Sequence, residues 1–218
     1  MSRPAARIFT LSDTALLIRL GEVLDPALNR RVHLLAAALK AAPLPGFLEC
    51  VPGYASLTVH YDPLALTESE VRTWLKTRLH LVEETAQRPT QTIEVPVVYN
   101  GPDLDFVAET CHLAPDEVIR LHCGTRYTVY MMGFTPGFPY LGILPEALRV
   151  PRLPTPRARV PAGSVAIAGA QTGIYPVESP GGWRLIGHTP LTLFDPNRTP
   201  PFLFAPGDEV RFLPGNMA

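Results

Sequence analysis

Proline is the residue that most limits what this chain can fold into. It occurs 25 times in 218 residues and is concentrated after Pro89. Each proline fixes φ and removes a backbone donor, so long helices and long central strands cannot run through such a region. The sequence therefore separates into residues 1–88, which have room for full helices, and residues 89–218, which are restricted to short strands between turns. The densest punctuation is "MGFTPGFPYLG", residues 132–142, poor material for a helix or a central strand.

In the first part "ALLIRL" reads as a buried strand. "LDPALNRRVHLLAAALKA" follows as a helix, with Asp25 as N-cap, Pro26 at the first helical position, and Leu28, Val32, Leu35 and Leu39 on one face. "PGFLECVP" and "YASLTVHY" read as two short strands joined at Pro52-Gly53. "LTESEVRTWLKTRLHLVEE" is a second helix, with Thr67 and Glu70 at capping-box spacing and Val71, Trp74, Leu75, Leu79 and Val82 as its apolar stripe. Strand, helix, two strands, helix is most of a ferredoxin-like sandwich, so an α+β domain is expected over 1–88.

"AQRPTQT", 86–92, reads as a linker. Beyond it, "TIEVPVVY", "RYTVYMM", "GSVAIAG", "WRLIG", "LTLF" and "DEVRFL" are closely spaced strands, and short helices fit near 103–111 and 115–123. This pattern predicts a mainly-β closed barrel or sandwich over 89–218. "RVPRLPTPRARVP", 149–161, reads as an extended, polyproline-like connector.

The net charge of −1 gives no electrostatic footprint for nucleic acid or an anionic membrane. Cys50, Cys111 and Cys123 are too few, and wrongly spaced, for a disulfide framework. The N-terminus is broken by polar residues before a signal-peptide core can form, and "VHLLAAALKAA" is too short to span a bilayer. A reducing cytoplasm is the natural setting.

Three groups of residues are candidates for chemistry. Cys111-His112 and His122-Cys123 form a mirrored pair, but neighbours on a helix diverge and the spacing fits no common zinc pattern, so no metal is expected. Arg149, Arg152, Arg157 and Arg159 are a set of guanidinium groups suited to carboxylate or phosphate; Arg159, just before Pro161-Ala162-Gly163, stands out. The stretch 168–190, "AGAQTGIYPVESPGGWRLIGHTP", combines glycines that permit close backbone approach with Gln171, Thr172, Tyr175, Glu178, Ser179, His188 and Thr189. Two ordinary hairpin turns would account for the same glycines. No GxxxxGK[ST] phosphate loop occurs.

Taken together, "GFTPGFPYLGILPEAL", "PRLPTPRARVPAGSVAIAGAQTGIYPVESPGGWRLIGHTPLTLFDP" and "PFLFAPGDEVRF" resemble the KipI/PxpB family, whose members are also called 5-oxoprolinase B subunits or allophanate hydrolase subunit 1. The resemblance is strong over about 127–214 and looser before it. It implies a small α+β domain followed by a cyclophilin-like β-barrel. It further implies one component, inactive alone, of an ATP-dependent 5-oxoprolinase that opens a small cyclic amide, 5-oxoproline, to L-glutamate. The implied partners are a KipA/PxpC-type sister subunit and a PxpA-type subunit, with ATP held mainly by or with a partner. The family also contains an inhibitor of a sensor histidine kinase, and related domains serve biotin-linked urea or amide carboxylation; both are alternative readings. The matching positions are Gly133, Phe134, Pro136, Gly137, Phe138, Pro139, Tyr140 and Leu141, then Arg159, Pro161, Gly163, Gln171, Thr172, Gly173, Tyr175, Pro176, Ser179, Gly181, Gly182 and Trp183. From these the expected site has Gln171, Thr172 and Tyr175 in catalysis. Arg159, Gly163, Gly181, Gly182, Trp183 and His188 would bind substrate. Phe134, Pro136, Gly137, Phe138 and Tyr140 would form a rim or docking loop. Position 188 departs from the family, which commonly reads IGRTP there; a histidine holds an anion only when protonated.

Overall fold

The computed structural model describes residues 6–82 and 91–215. Two compact units are present, Met1–Pro89 and Thr90–Ala218. The linker read over 86–92 lies outside the described residues as far as residue 90, and Thr92 already begins a strand.

The first unit runs β1 (Arg7–Ser12), β2 (Ala15–Arg19), α1 (Pro26–Ala41), β3 (Phe47–Pro52), β4 (Ser56–Tyr61) and α2 (Glu68–Val82). Its antiparallel sheet has the order β1-β2-β4-β3. Asp25 accepts the Leu28 N–H at 2.8 Å, and Pro26 opens α1. Glu70 accepts the Thr67 N–H at 2.8 Å, closing the capping box of α2. The alternation of β2 and β4 buries Leu16, Ile18, Leu57 and Val59 against Val32, Leu35 and Leu39 of α1 and Val71 and Leu75 of α2. Trp74 and Leu79 pack at the margin of that core, and the Val82 side chain lies outside what is described. The sequence pattern had no place for β1, and the reason is physical: nearly all its residues are exposed, so it carries no in-out alternation to read. The unit is α+β, but it opens on a hairpin, so β1 fills the edge beside β2.

The second unit contains β5 (Thr92–Val97), α3 (Leu104–Cys111), α4 (Pro115–Cys123), β6 (Arg126–Met132), β7 (Pro139–Gly142), β8 (Arg157–Val160), β9 (Ser164–Ala168), β10 (Gln171–Ile174), β11 (Ser179–Gly181), β12 (Arg184–His188) and β13 (Glu209–Pro214). Seven strands form one mixed sheet in the order β12-β9-β10-β7-β6-β13-β5, and β8 and β11 form a separate antiparallel pair. All pairs in the large sheet are antiparallel except β13 with β5. The sheet curls until its two edges touch: Val98 and His188 exchange backbone hydrogen bonds of 2.8 and 2.9 Å.

Three expectations are corrected here. "MGFTPGFPYLG" does supply a central strand, β7, between β10 and β6. Pro139 is tolerated because it is the strand's first residue, and Tyr140 and Leu141 then fall on opposite faces of the sheet. "LTLF" forms no strand; its Phe194 makes an isolated bridge to Phe202. The 149–161 connector ends in β8, paired to β11 through Val160 and Ser179.

The curled sheet has a core on each side. Inside lie Val95, Val97, Tyr127, Val129, Leu141, Val165, Ile167, Ile174, Ile186, Val210 and Phe212, capped by Val107 and Val118 of α3 and α4. On the other face Phe138, Val160, Ala166, Ala168, Tyr175, Trp183 and Leu185 make a smaller core, with Tyr140 at its edge. Period-two alternation divides neighbours between them: Ile167 and Ile174 point in, Ala166 and Tyr175 point out.

Candidate functional site

The outer core is built by contrast in side-chain size. Ala166, Ala168 and Gly173 are small, and the trough they leave is filled by rings. Phe138 lies 5.1 Å from Tyr175, 5.5 Å from Trp183 and 4.9 Å from Tyr140, centroid to centroid. Gly173 is required by this contact, since a Cβ there would sit 2.8 Å from Phe138 Cζ. The pair β8–β11 and the preceding connector lie over the rings; Leu153 donates to the Gly182 carbonyl at 2.8 Å and pins the connector there.

The sequence-predicted residues fall into three environments. Phe138, Tyr175, Trp183 and Gly181 belong to the buried trough, with Gly181 lying flat against the Tyr175 hydroxyl. Phe138 is only 2% exposed, so it is not a presented anchor; the reading of Phe138 as a docking residue is corrected to a core role. Phe134 is the ring that the loop does present. It is 58% exposed, has a φ of 67°, and meets Phe138 and Tyr175 edge-on at 5.6 and 6.4 Å. Pro136 is exposed beside it, whereas Gly137 is buried.

At the rim, Arg159 donates to both oxygens of Glu178 at 3.0 Å, so its fork is already occupied by a carboxylate. His188 is exposed, with Nε2 3.1 Å from the Ala162 carbonyl. Gly163 has a φ of 80°, and a Cβ there would meet His188 Nε2 at 2.6 Å, so only glycine fits the turn. Gln171 starts β10, half-buried, opposite Gly142 and Ala168.

Thr172 faces the other way. It is fully buried and donates to the Ala166 carbonyl at 3.0 Å, so its oxygen accepts from His122 Nε2 at 2.9 Å. That fixes the histidine proton on Nε2 and leaves Nδ1 to accept from the Tyr99 hydroxyl at 2.6 Å. Cys123 Sγ is 3.2 Å from the same hydroxyl. Burial holds His122 down at about 3, so the ring is neutral at ordinary pH. The expectation that Thr172 touches substrate is therefore corrected: its hydroxyl braces β10 from within the curled sheet. His112, of the mirrored pair, ends α3 in a left-handed conformation, and among the described residues no cluster of three metal-ligating side chains forms.

One group escaped the sequence reading. Asp103 is buried; its Oδ1 lies 2.9 Å from Arg157 and 3.7 Å from Arg184, and its Oδ2 accepts the Leu185 N–H at 2.7 Å. Arg184 also lies under the Phe106 ring, 3.6 Å from its centroid, and donates to the Pro151 carbonyl. Asp103 and Arg157 are 54 residues apart in the chain, a separation from which no spacing rule can find a pair.

The matching family model is that of the carboxyltransferase domain, subdomains C and D, over residues 6–204. The urea amidolyase of K. lactis shares the fold, with a TM-score of 0.79 over 97% of this chain and 15% of that one, at 19% identity. A carboxyltransferase-type unit, with a curled sheet and an aromatic outer face, is thus the class of protein present. At closer range, the B subunit of 5-oxoprolinase from Bacillus subtilis (strain 168) is 44% identical over 95% of this chain and 92% of its own length. The crystal structure of TTHA0988 superposes with a TM-score of 0.83 at 45% identity, covering 94% of this chain and 40% of that one; this chain thus spans about two fifths of TTHA0988. The chain belongs to the KipI/PxpB family of 5-oxoprolinase B subunits. No described helix is long and apolar enough to cross a membrane.

Proposed function

We propose that this chain is the B subunit of an ATP-dependent 5-oxoprolinase, which opens 5-oxoproline to L-glutamate together with KipA/PxpC-type and PxpA-type subunits. It is inactive alone and works in the cytoplasm. The observation that carries the reading is the 44% identity across 92% of a relative named as the B subunit of 5-oxoprolinase. The same reading gives 89–218 a cyclophilin-like plan. In 1–88 it gives a ferredoxin-like plan in which β1 serves as the last edge strand.

The outer face suits a small cyclic amide. Tyr140, half-buried, offers an apolar edge with a polar tip beside Trp183. Gln171, on the side opposite Thr172, offers a neutral amide to hydrogen-bond a lactam. Tyr175 acts through Gly181 and the rings rather than by touching substrate, because it is buried; burial also raises its phenol above the ordinary range, so it stays protonated. His188 and Gly163 form one edge of the rim, Gly182 and Trp183 another. Phe134 and Pro136 are the residues that a sister subunit would meet.

A nucleoside triphosphate does not fit these residues alone. Its charge calls for several cations or a cradle of backbone N–H groups. Here Arg157 and Arg184 share Asp103 and Arg159 is held by Glu178. We therefore assign ATP to a site completed by a partner and route no step through it in this chain.

The test is co-expression with both sister subunits, followed by measurement of glutamate from 5-oxoproline with and without ATP. Glutamate formation that needs all three chains and ATP is expected. No product above the control lacking this chain would overturn the reading.

A further inference from the structure

Two guanidinium groups and one carboxylate meet at the edge of the aromatic trough, and their charges do not cancel. Asp103 carries one negative charge, and Arg157 and Arg184 one positive charge each. The side chains are 28% and 10% exposed for the arginines and 7% for the aspartate, so a positive charge is left where water only partly reaches it. Such a charge is costly unless an anion neutralises it. Arg184 is the more enclosed of the two: its Nε donates to the Pro151 carbonyl, its face lies under Phe106, and Asp103 stands 3.7 Å away. Arg157 is the more exposed, at 28% against 10%. One of its N–H groups reaches Asp103 at 2.9 Å and another makes a long 3.5 Å contact with the Trp183 carbonyl, which leaves part of its donor set facing solvent.

A third cation meets the same tryptophan. Arg152, exposed on the connector, sits 5.8 Å from the Trp183 ring and, among the described residues, makes no ion pair. Burial raises the phenols of Tyr175 and Tyr140; Arg152 pulls both back, and Arg157 pulls Tyr175 back as well. Both guanidinium groups meet Trp183, Arg152 at its ring and Arg157 at its carbonyl, so they share one end of the trough. Glu146, the nearest acid to Arg152 along the chain, and Asp105, two residues beyond Asp103, are both exposed. Arg159, which the sequence made the first choice for an anion, differs in kind because Glu178 occupies its fork.

We propose that Arg152 and Arg157, with Trp183 and Tyr140 as their apolar wall, form a binding site for one small oxyanion, a carboxylate or a single phosphoryl group. The site carries enough positive charge for one such group and too little for a triphosphate. As a carboxylate site it deepens the 5-oxoprolinase reading and rests on it; as an oxyanion site it stands without it.

The test uses the full chain and follows the Trp183 indole N–H and the arginine Nε–H signals by NMR during titration with L-5-oxoproline, with its uncharged carboxamide, and with inorganic phosphate. Saturable shifts at Trp183 with one or both anions, and none with the carboxamide, are expected. Arg152→Gln should weaken that binding at least about tenfold, as expected for loss of a charge-assisted contact. Arg152 is exposed, so its variant keeps the fold; Arg120→Gln, on α4, is the surface-charge control and should bind like the parent. Response to L-5-oxoproline alone assigns the site to a carboxylate, and response to phosphate alone assigns it to a phosphoryl group. Absence of saturable shifts with either anion overturns the proposal, as does binding that survives Arg152→Gln but is lost in Arg159→Gln. The two readings separate cleanly. Phosphate binding without glutamate formation by the reconstituted complex keeps the site and removes the oxoprolinase. Full turnover with Arg152→Gln, and no anion binding, does the reverse.

Discussion

The two cores on either side of the curled sheet are made by the same strands, yet they are different materials. The inner one is a closely packed set of Val, Ile, Leu and aromatic side chains with a neutral polar chain, Tyr99–His122–Thr172, running through it. The outer one is a trough floored by Ala166, Ala168 and Gly173, filled with rings and edged by arginines. β10 serves both: Thr172 braces the inside and Gly173 makes room outside. The difference teaches that the inner core holds the sheet's curl, while the outer core holds an accessible surface in place.

Removing the central ring of the outer core should have the largest effect. Phe138→Ala deletes a buried aromatic that touches Tyr140, Tyr175 and Trp183, and is expected to cost about 3–5 kcal/mol in chemical denaturation. A loss below about 1 kcal/mol would return Phe138 to the surface role that its sequence context suggests.

The inner core is next, and pH reaches it. An unfolded histidine takes its proton near 6.5, whereas folded His122 stays neutral to about 3. Between those values the unfolded chain binds the extra proton, so stability falls as pH falls from 6.5 towards about 3, by up to roughly tenfold in the unfolding equilibrium per pH unit. Unfolding curves of the parent and His122→Gln across this window should converge at low pH. Parallel curves would remove His122 as their cause. At neutral pH, His122→Leu strips Tyr99 of an acceptor and should cost about 1–3 kcal/mol.

The two arginines of β8 offer the finest comparison. Arg157→Ala leaves buried Asp103 with Arg184 and one N–H, for an expected loss of about 2 kcal/mol. Arg159→Ala breaks an exposed pair with Glu178 and should change stability by less than about 1 kcal/mol. Thermal or urea unfolding of the two variants side by side decides this, and equal losses would erase the distinction drawn between them.

Much of the first unit was legible because its signals are local. Asp25 and Pro26 start α1, Thr67 and Glu70 start α2, and alternation marks β2 and β4. β1 was not, since an exposed strand has no alternation. In the second unit β6 was readable from "RYTVYMM", while β7 was hidden behind Pro136 and Pro139 in a stretch that looked like loop alone.

Of the candidate site, the sequence marked Gly163, Gly173, Gly181, Trp183 and the ring-rich loop, because glycines at close approaches and clustered rings are visible one residue at a time. It also supplied a set of arginines, without saying which were engaged. Only the tertiary structure decided that Phe138 is core and Phe134 exposed, that Thr172 faces inward to His122, and that Arg157 meets Asp103 while Arg159 meets Glu178. The physical reason is that local propensities act within a few residues. Which face of a strand is buried, and which cation finds which carboxylate, depends on the sheet curling back to bring together segments distant in the chain.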